Sequence, residues 1–298
     1  MIKSRKIYRM KHFLEDIKLD LERNAPHYGD ESCTICNGLG IILDPYVIPG
    51  EDAYKLCTCV EKMTLCDGDP PYEYFDPKDN CMKECPSKRA RLALKKILFL
   101  QKLSGIPSRY KDKLLTSIDV NITGSENFLF AIDHVYAVIK EYPKNKNTYG
   151  LYLYGRTGTG KTLLSCIILN EMIRLYQIPV RYAKISRDIL GKIRDTFNPQ
   201  SEFYGEGRKI EEELANIEIL VIDDFGVQKD SPWVNNVLYD LIDSRYEKNL
   251  LTILTSNEPM DSWKEISNGR VFSRLKEMCL EIHLDAEDYR LKKSRSIH

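Results

Sequence analysis

The run Gly155-Arg156-Thr157-Gly158-Thr159-Gly160-Lys161-Thr162 has the residue types and spacing of a phosphate cradle. Glycines at 155 and 160 let the backbone turn sharply and aim successive N–H groups at phosphate oxygens. Lys161 is placed to reach the β- and γ-phosphates of ATP, and the Thr162 hydroxyl to ligate Mg²⁺. The octet follows an apolar run, residues 149–154, and opens a helical stretch whose N-terminal dipole favours an anion. An ordinary glycine-rich turn would need neither context. Gly155, Arg156, Thr157, Gly158, Thr159, Gly160, Lys161, Thr162 and Leu163 are therefore the expected nucleotide-binding set.

A second apolar run, Ile219 to Ile222, ends in Asp223-Asp224. Asp223 suits the carboxylate that orients the Mg²⁺ hydration shell together with Thr162, and Asp224 the one that activates an attacking water. Paired carboxylates at a strand end also serve as helix caps, but beside a cradle the chemical reading is favoured. A third run, Leu251 to Thr255, ends in Ser256-Asn257. The Asn257 amide can hold a water against the γ-phosphate, although asparagine is also an ordinary turn residue. Arg270 and Arg274 stand one helical turn apart. A guanidinium delivered from a neighbouring subunit to the γ-phosphate would make hydrolysis depend on assembly. The plain alternative for either arginine is a surface ion pair. Arg290 is a candidate for touching the nucleotide in its own subunit.

Seven of the nine cysteines lie between Cys33 and Cys85, which in a reducing compartment argues for metal rather than disulfides. Cys33-x2-Cys36 followed by Cys57-x-Cys59 can supply four thiolates to a tetrahedral, structural Zn²⁺. Cys66, Cys81 and Cys85 are candidates for a second zinc site completed by His27 or an aspartate. The pairing of ligands stays open, as do free buried cysteines and an iron–sulfur cluster.

The elements that must position these groups follow from periodicity. Residues 4–24, with Ile7, Met10, Phe13 or Leu14, Ile17 and Leu21 at steps of three and four, predict a helix that either binds a partner or, more simply, packs on its own domain. Residues 33–85 are rich in Cys, Gly, Pro and Asp and cannot bury much apolar surface unaided. Helical spacing returns over 88–103 and breaks at Gly105-Ile106-Pro107. From 117 onward, helices are expected at 126–141, 161–176, 187–196, 209–216, 233–247 and 270–278. Short apolar runs at 150–154, 180–185, 218–222, 250–255 and 280–284 alternate with them. That alternation predicts an α/β fold with a five-stranded parallel sheet covered on both faces. The expected division is a cysteine-rich domain over 1–103, a linker over 104–116 and an ATPase domain over 117–298.

Lys and Arg balance Asp and Glu at 44 each, so any basic surface must be local. Lys184, Arg187, Lys192, Arg194, Arg208 and Lys209, with Tyr204, could form a basic stripe with an aromatic for stacking, equally readable as a solvated helix face and loop. The basic start of the chain lacks the apolar run of a secretory signal, and no stretch reaches membrane-span length, so the expected setting is cytoplasmic with no membrane partner.

Taken in order, several segments resemble the AAA+ ATPases of the DnaC/DnaI type, the replicative-helicase loaders. They are Gly105-Ile106-Pro107-Ser108-Arg109-Tyr110, the cradle, Asp223-Asp224-Phe225-Gly226, Asp243-Ser244-Arg245-Tyr246, Thr255-Ser256-Asn257, Ser273-Arg274-Leu275 and Asp288-Tyr289-Arg290. The likeness covers roughly residues 100–298, and Cys33 to Gly40 with Cys57-Thr58-Cys59 looks like the zinc module of many such loaders. The stretch from Cys66 to Cys85 has no counterpart in that module. The resemblance implies an ATPase that loads a hexameric replicative DNA helicase onto single-stranded DNA and self-associates so that sites form between subunits. It makes Arg274 the arginine finger and Arg290 the sensor-2 arginine. Only 41 residues follow Asn257, which implies a reduced or absent helical lid. Two other readings share the core: a transposition helper of the IstB type, which generally lacks a cysteine module, and a non-hydrolysing adaptor switched by ATP.

Overall fold

The computed structural model describes residues 2–44, 46, 52–118, 126–226, 231–265 and 269–285, with side chains described from residue 12 onward. The cysteine-rich part begins with a long helix, α1 (Ile2–Asn24). A hairpin of β1 (Ile41–Leu43) and β2 (Tyr54–Leu56), a short helix α2 (Thr58–Lys62) and a second hairpin of β3 (Glu73–Asp76) and β4 (Cys81–Glu84) follow. Helix α3 (Lys88–Leu103) closes this part with the span read from its periodicity.

The remainder alternates strand and helix: α4 (Glu126–Glu141), β5 (Gly150–Tyr154), α5 (Lys161–Tyr176), β6 (Val180–Lys184), α6 (Lys192–Asp195), α7 (Gly207–Asn216), β7 (Ile219–Asp223), α8 (Pro232–Glu247), β8 (Leu251–Ser256), α9 (Arg270–Met278) and β9 (Cys279–His283). The strands form one parallel five-stranded sheet in the order β6-β7-β8-β5-β9. The helix expected over 187–196 is instead a π-helical turn, Ile185–Gly191, running into α6. Among the described residues no helix follows β9, and no helix is long and apolar enough to cross a membrane.

Each central strand is apolar on both sides, and successive residues serve different cores, as the strand's period of two requires. Leu151, Leu153, Ile219, Val221, Leu251 and Ile253 face the core under α4 and α5. Tyr152, Leu220, Ile222 and Leu254 face the core under α7, α8 and α9.

The first of these cores does not stop at the sheet-bearing part. Leu14, Ile17 and Leu21 of α1, Ala93, Ile97 and Leu100 of α3, and Cys36 and Cys57 belong to it. Leu14, Ile17 and Leu21 of the stripe read on α1 therefore pack against the sheet-bearing part as well as their own, while the side chains of Ile7 and Met10 lie outside those described. Buried polar contacts reinforce the junction. Arg174 of α5 pairs with Glu22 of α1 at 3.0 Å and with Glu171 at 2.7 Å, all three side chains nearly inaccessible. A buried charge loses its hydration, so a triad like this specifies one docking geometry more than it adds stability.

Candidate nucleotide site

The cradle sits where the fold requires it, between the end of β5 and the start of α5. Gly155 has φ 144°, and a Cβ there would stand 2.3 Å from the Leu284 carbonyl oxygen, so only glycine permits the chain to pass β9 at this point. Lys161 opens α5 with its Nζ donating to the carbonyls of Gly155 at 2.7 Å and Arg156 at 2.8 Å. Thr159 donates to Arg156 O at 2.9 Å and fixes the loop from inside, leaving Arg156 and Thr157 exposed at its rim. Gly158, Gly160, Thr162 and Leu163 are half-buried around it.

Asp223 ends β7 and is 3% exposed. Its Oδ1 accepts from the hydroxyls of Thr162 at 2.9 Å and Thr255 at 2.6 Å, and its Oδ2 from the phenol of Tyr182 at 2.6 Å. Burial and the adjoining carboxylate push the Tyr182 phenol far above its ordinary range, so it is held as a proton donor. Thr162 and Asp223 thus bring hard oxygen donors together at the mouth of the cradle, a set that suits Mg²⁺. Asp224 turns away at φ 59°; its N–H donates to Thr255 Oγ1 at 3.1 Å and its carboxylate pairs with Lys184 at 2.6 Å. The hydrogen bond to Asp224 raises Lys184 above its usual range. Asn257 follows β8 directly and is exposed. Because β8 lies between β7 and β5, Asp223, Asp224, Asn257 and the cradle converge at the carboxyl ends of three adjacent strands.

The arginines divide. Arg274, on α9, is held by its own chain: Nε donates to Asp243 of α8 and Nη2 to the Tyr239 hydroxyl at 3.2 Å, with the guanidinium 5.0 Å from the Tyr239 ring centre and 5.6 Å from that of Tyr246. Arg270 is exposed at the start of the same helix. Arg290 lies outside the described residues. Arg245 has a role that its sequence motif did not reveal. It is fully buried and donates to the carbonyls of Leu214, Ile217 and Leu251 and to Thr252 Oγ1, at 2.7–2.9 Å. Burial lowers its pKa to about 9. A sequence signal existed: Arg245 continues the stripe of Val234, Leu238, Leu241 and Ile242 on α8.

Cys33, Cys36, Cys57 and Cys59 form the one group of metal-type ligands found among the described residues, their sulfurs all within 4.8 Å of one another. Two of the Sγ–Sγ separations are 3.7 Å and 3.5 Å. Tetrahedral thiolates at 2.3 Å from a zinc ion would stand about 3.8 Å apart, so the residues present fit Zn²⁺. Backbone N–H groups of Cys36 and Ile35 lower the Cys33 thiol to about 7, whereas burial raises Cys36 and Cys59.

The trio proposed for a second zinc does not assemble. Cys81 opens β4 and is exposed, while Cys85 follows the far end of that strand and is buried. Four residues of extended chain hold the two about 13 Å apart. Cys85 sits beside Cys66 and accepts from Leu65 N at 3.2 Å, a pair rather than a cluster. His27 lies against Gly38 in the first module, with Nε2 on Glu22 O, so it is not their fourth ligand.

The candidate basic stripe is mostly self-paired. Lys184 belongs to the nucleotide site, Arg187 pairs with Asp188, Arg208 with Glu212 and Lys209 with Glu206. Lys192 lies over Phe203 and Arg194 over Trp233, and Tyr204 is exposed.

A parallel sheet with β8 inserted between the cradle strand and the acidic strand, and a hydroxyl–carboxylate pair bridging them, defines a P-loop nucleotide-binding domain of the AAA+ class. The chain belongs to the family described as IstB-like ATP binding protein, whose profile matches residues 141–297. It is similar to the replicative helicase loader DnaI of Bacillus subtilis, 26% identical over 225 residues, covering 70% of this chain and 68% of that protein. It is also similar to the replicative helicase loader DnaC of Escherichia coli K12, 25% identical over 173 residues, covering 58% of this chain and 66% of that one. Two solved structures share the fold: DnaI, with a TM-score of 0.52 at 20% identity over 63% of this chain and 98% of that chain, and the DnaC helicase loader, with 0.51 at 19% over 59% and 99%.

Proposed function

We propose that this protein binds ATP with Mg²⁺, hydrolyses it at sites completed by a neighbouring subunit, and uses that cycle to place a hexameric replicative DNA helicase on single-stranded DNA. The observation that carries the reading is the convergence of Lys161, Thr162, Asp223, Asp224 and Asn257 at the carboxyl ends of adjacent strands in a chain similar to named helicase loaders.

Lys161 exchanges the carbonyls of Gly155 and Arg156 for the β- and γ-phosphates when nucleotide enters. Thr162 and Asp223 would hold Mg²⁺, which would supply neutralising charge to the phosphates. Asp224, which Lys184 holds in place by an ion pair, accepts the proton of the attacking water. Asn257 orients that water, and Arg274 of an adjoining subunit stabilises the departing charge. The four cysteines bind a structural Zn²⁺ that holds residues 1–103 as the helicase-interacting part, joined by 104–116 to the ATPase part.

The test is affinity capture with a hexameric replicative helicase in the presence of ATP, followed by a loading assay on single-stranded DNA. The wild-type protein is expected to form the complex and support loading. Lys161→Ala is expected to lose at least about a hundredfold in ATP affinity by titration calorimetry, because charge-assisted bonds to two phosphates disappear. Capture of a transposase with no interaction with the helicase would instead establish the transposition-helper reading.

A further inference from the structure

The Mg²⁺-holding carboxylate has a third hydroxyl partner that the cradle motif does not account for. Tyr182, on the edge strand β6, is 4% exposed and donates to Asp223 Oδ2, the oxygen opposite the one shared by Thr162 and Thr255. A carboxylate has about four lone-pair sites, and three hydroxyls fix both its rotation and which oxygen faces the cradle. Thr162 and Thr255 act on the same oxygen, so Tyr182 alone of the three restrains the other.

The backbone of Tyr182 is itself held from outside the sheet. Its N–H donates to Ser104 O at 2.7 Å, and the neighbouring Arg181 guanidinium donates to Leu103 O at 2.5 Å. Gly105 follows with φ 71°, and a Cβ there would stand 2.7 Å from the Tyr182 carbonyl oxygen. The turn that ends α3 is thus pressed onto the strand residue that steadies Asp223. Helix α3 shares its core with Cys36 and Cys57.

We propose that Tyr182 is a positioning residue for the Mg²⁺–nucleotide site and ties the carboxylate of Asp223 to the Ser104–Gly105 turn at the end of the cysteine-rich part. The inference rests on the reading of Asp223 as the Mg²⁺-holding carboxylate, and goes beyond it by making that site responsive to the placement of α3.

The experiment measures the affinity of a fluorescent, non-hydrolysable ATP analogue for the full chain, in Mg²⁺ and in EDTA. Wild-type affinity should be higher in Mg²⁺. Tyr182→Phe removes one hydroxyl and keeps the ring, and should lose about tenfold of affinity in Mg²⁺ and none in EDTA. Gly105→Ala touches neither Asp223 nor nucleotide, and should show the same split by displacing the Tyr182 backbone. A Tyr182→Phe protein with the wild-type Mg²⁺ response overturns the proposal, and equal losses in both conditions reduce Tyr182 to a structural residue. A loss with Tyr182→Phe but a wild-type response with Gly105→Ala overturns the tie to the turn. A wild-type protein whose affinity ignores Mg²⁺ refutes the reading of Asp223 itself, a result distinguishable from the others.

Discussion

Asp223 and Asp224 are adjacent in sequence and opposite in circumstance. Asp223 is buried and accepts three hydroxyls, so it is fixed and has little freedom to take a proton from water. Asp224 is 36% exposed and turned by its positive φ toward Lys184. Only the second has both the accessibility and the free lone pairs that a general base needs. Asp224→Asn should therefore keep ATP affinity while lowering single-turnover hydrolysis by about a hundredfold or more. Hydrolysis at the wild-type rate would assign the base elsewhere. Arg245 makes the converse point about buried charge. Its guanidinium gathers four neutral oxygens from the end of α7, the residue after it and β8, and none of them is an anion. Arg245→Met would leave those acceptors unpaired in the core and should destabilise the protein by about 3 kcal/mol or more. Chemical denaturation with an unchanged midpoint would show that water replaces the donors.

The elements that the sequence made legible are those whose burial is complete and local. Residues 150–154 and 219–222 are apolar throughout because both faces of each strand are covered, helix 126–141 carries a buried stripe, and helix 161–176 is buried on nearly every side. The cradle and the acidic pair were legible because glycine, lysine and aspartate at those spacings have few other uses. What was not legible depends on contacts distant in the chain. No local pattern says that the phenol of Tyr182 reaches Asp223, that Arg274 reaches Asp243, or that a strand separates Cys81 from Cys85. The hairpins between 41 and 84 have too few residues to show a period. The first hairpin places Ile41 and Tyr54 in the core and should depend further on the four clustered thiols beside it. Metal analysis is expected to return one zinc per chain. Cys33→Ser with Cys36→Ser should abolish it and lower the melting temperature. ATP binding without Mg²⁺ should persist, since none of these residues touches the cradle, whereas the gain in affinity with Mg²⁺ should fall as α3 loses its packing on Cys36. Well-folded metal-free protein, or iron in place of zinc, would contradict the assignment.

At the scale of the whole molecule the open question is whether a site is complete in one subunit. Arg274 belongs to α9, and in the single chain its guanidinium rests on Asp243 between two tyrosine rings, 24% exposed. Each of these partly exposed contacts contributes about 1 kcal/mol at most, so Arg274 is redirected only where a neighbour's nucleotide replaces the ion pair, the Tyr239 hydroxyl and both rings together. If Arg274 serves a neighbouring subunit, Arg274→Ala should leave ATP affinity unchanged, because the guanidinium belongs to another chain's nucleotide. Hydrolysis should fall about a thousandfold, the usual scale for such an arginine. Wild-type activity should rise more than linearly with protein concentration, since sites form only between subunits. The decisive measurement mixes Arg274→Ala with Lys161→Ala. An Arg274→Ala subunit keeps an intact cradle and can borrow a finger from its Lys161→Ala neighbour, so part of the activity should return. An arginine that only braces α9 against α8 predicts a small loss of stability, no concentration dependence and no rescue. Two folded, associating mutants that remain inactive together would end the trans assignment and leave Arg274 as a brace.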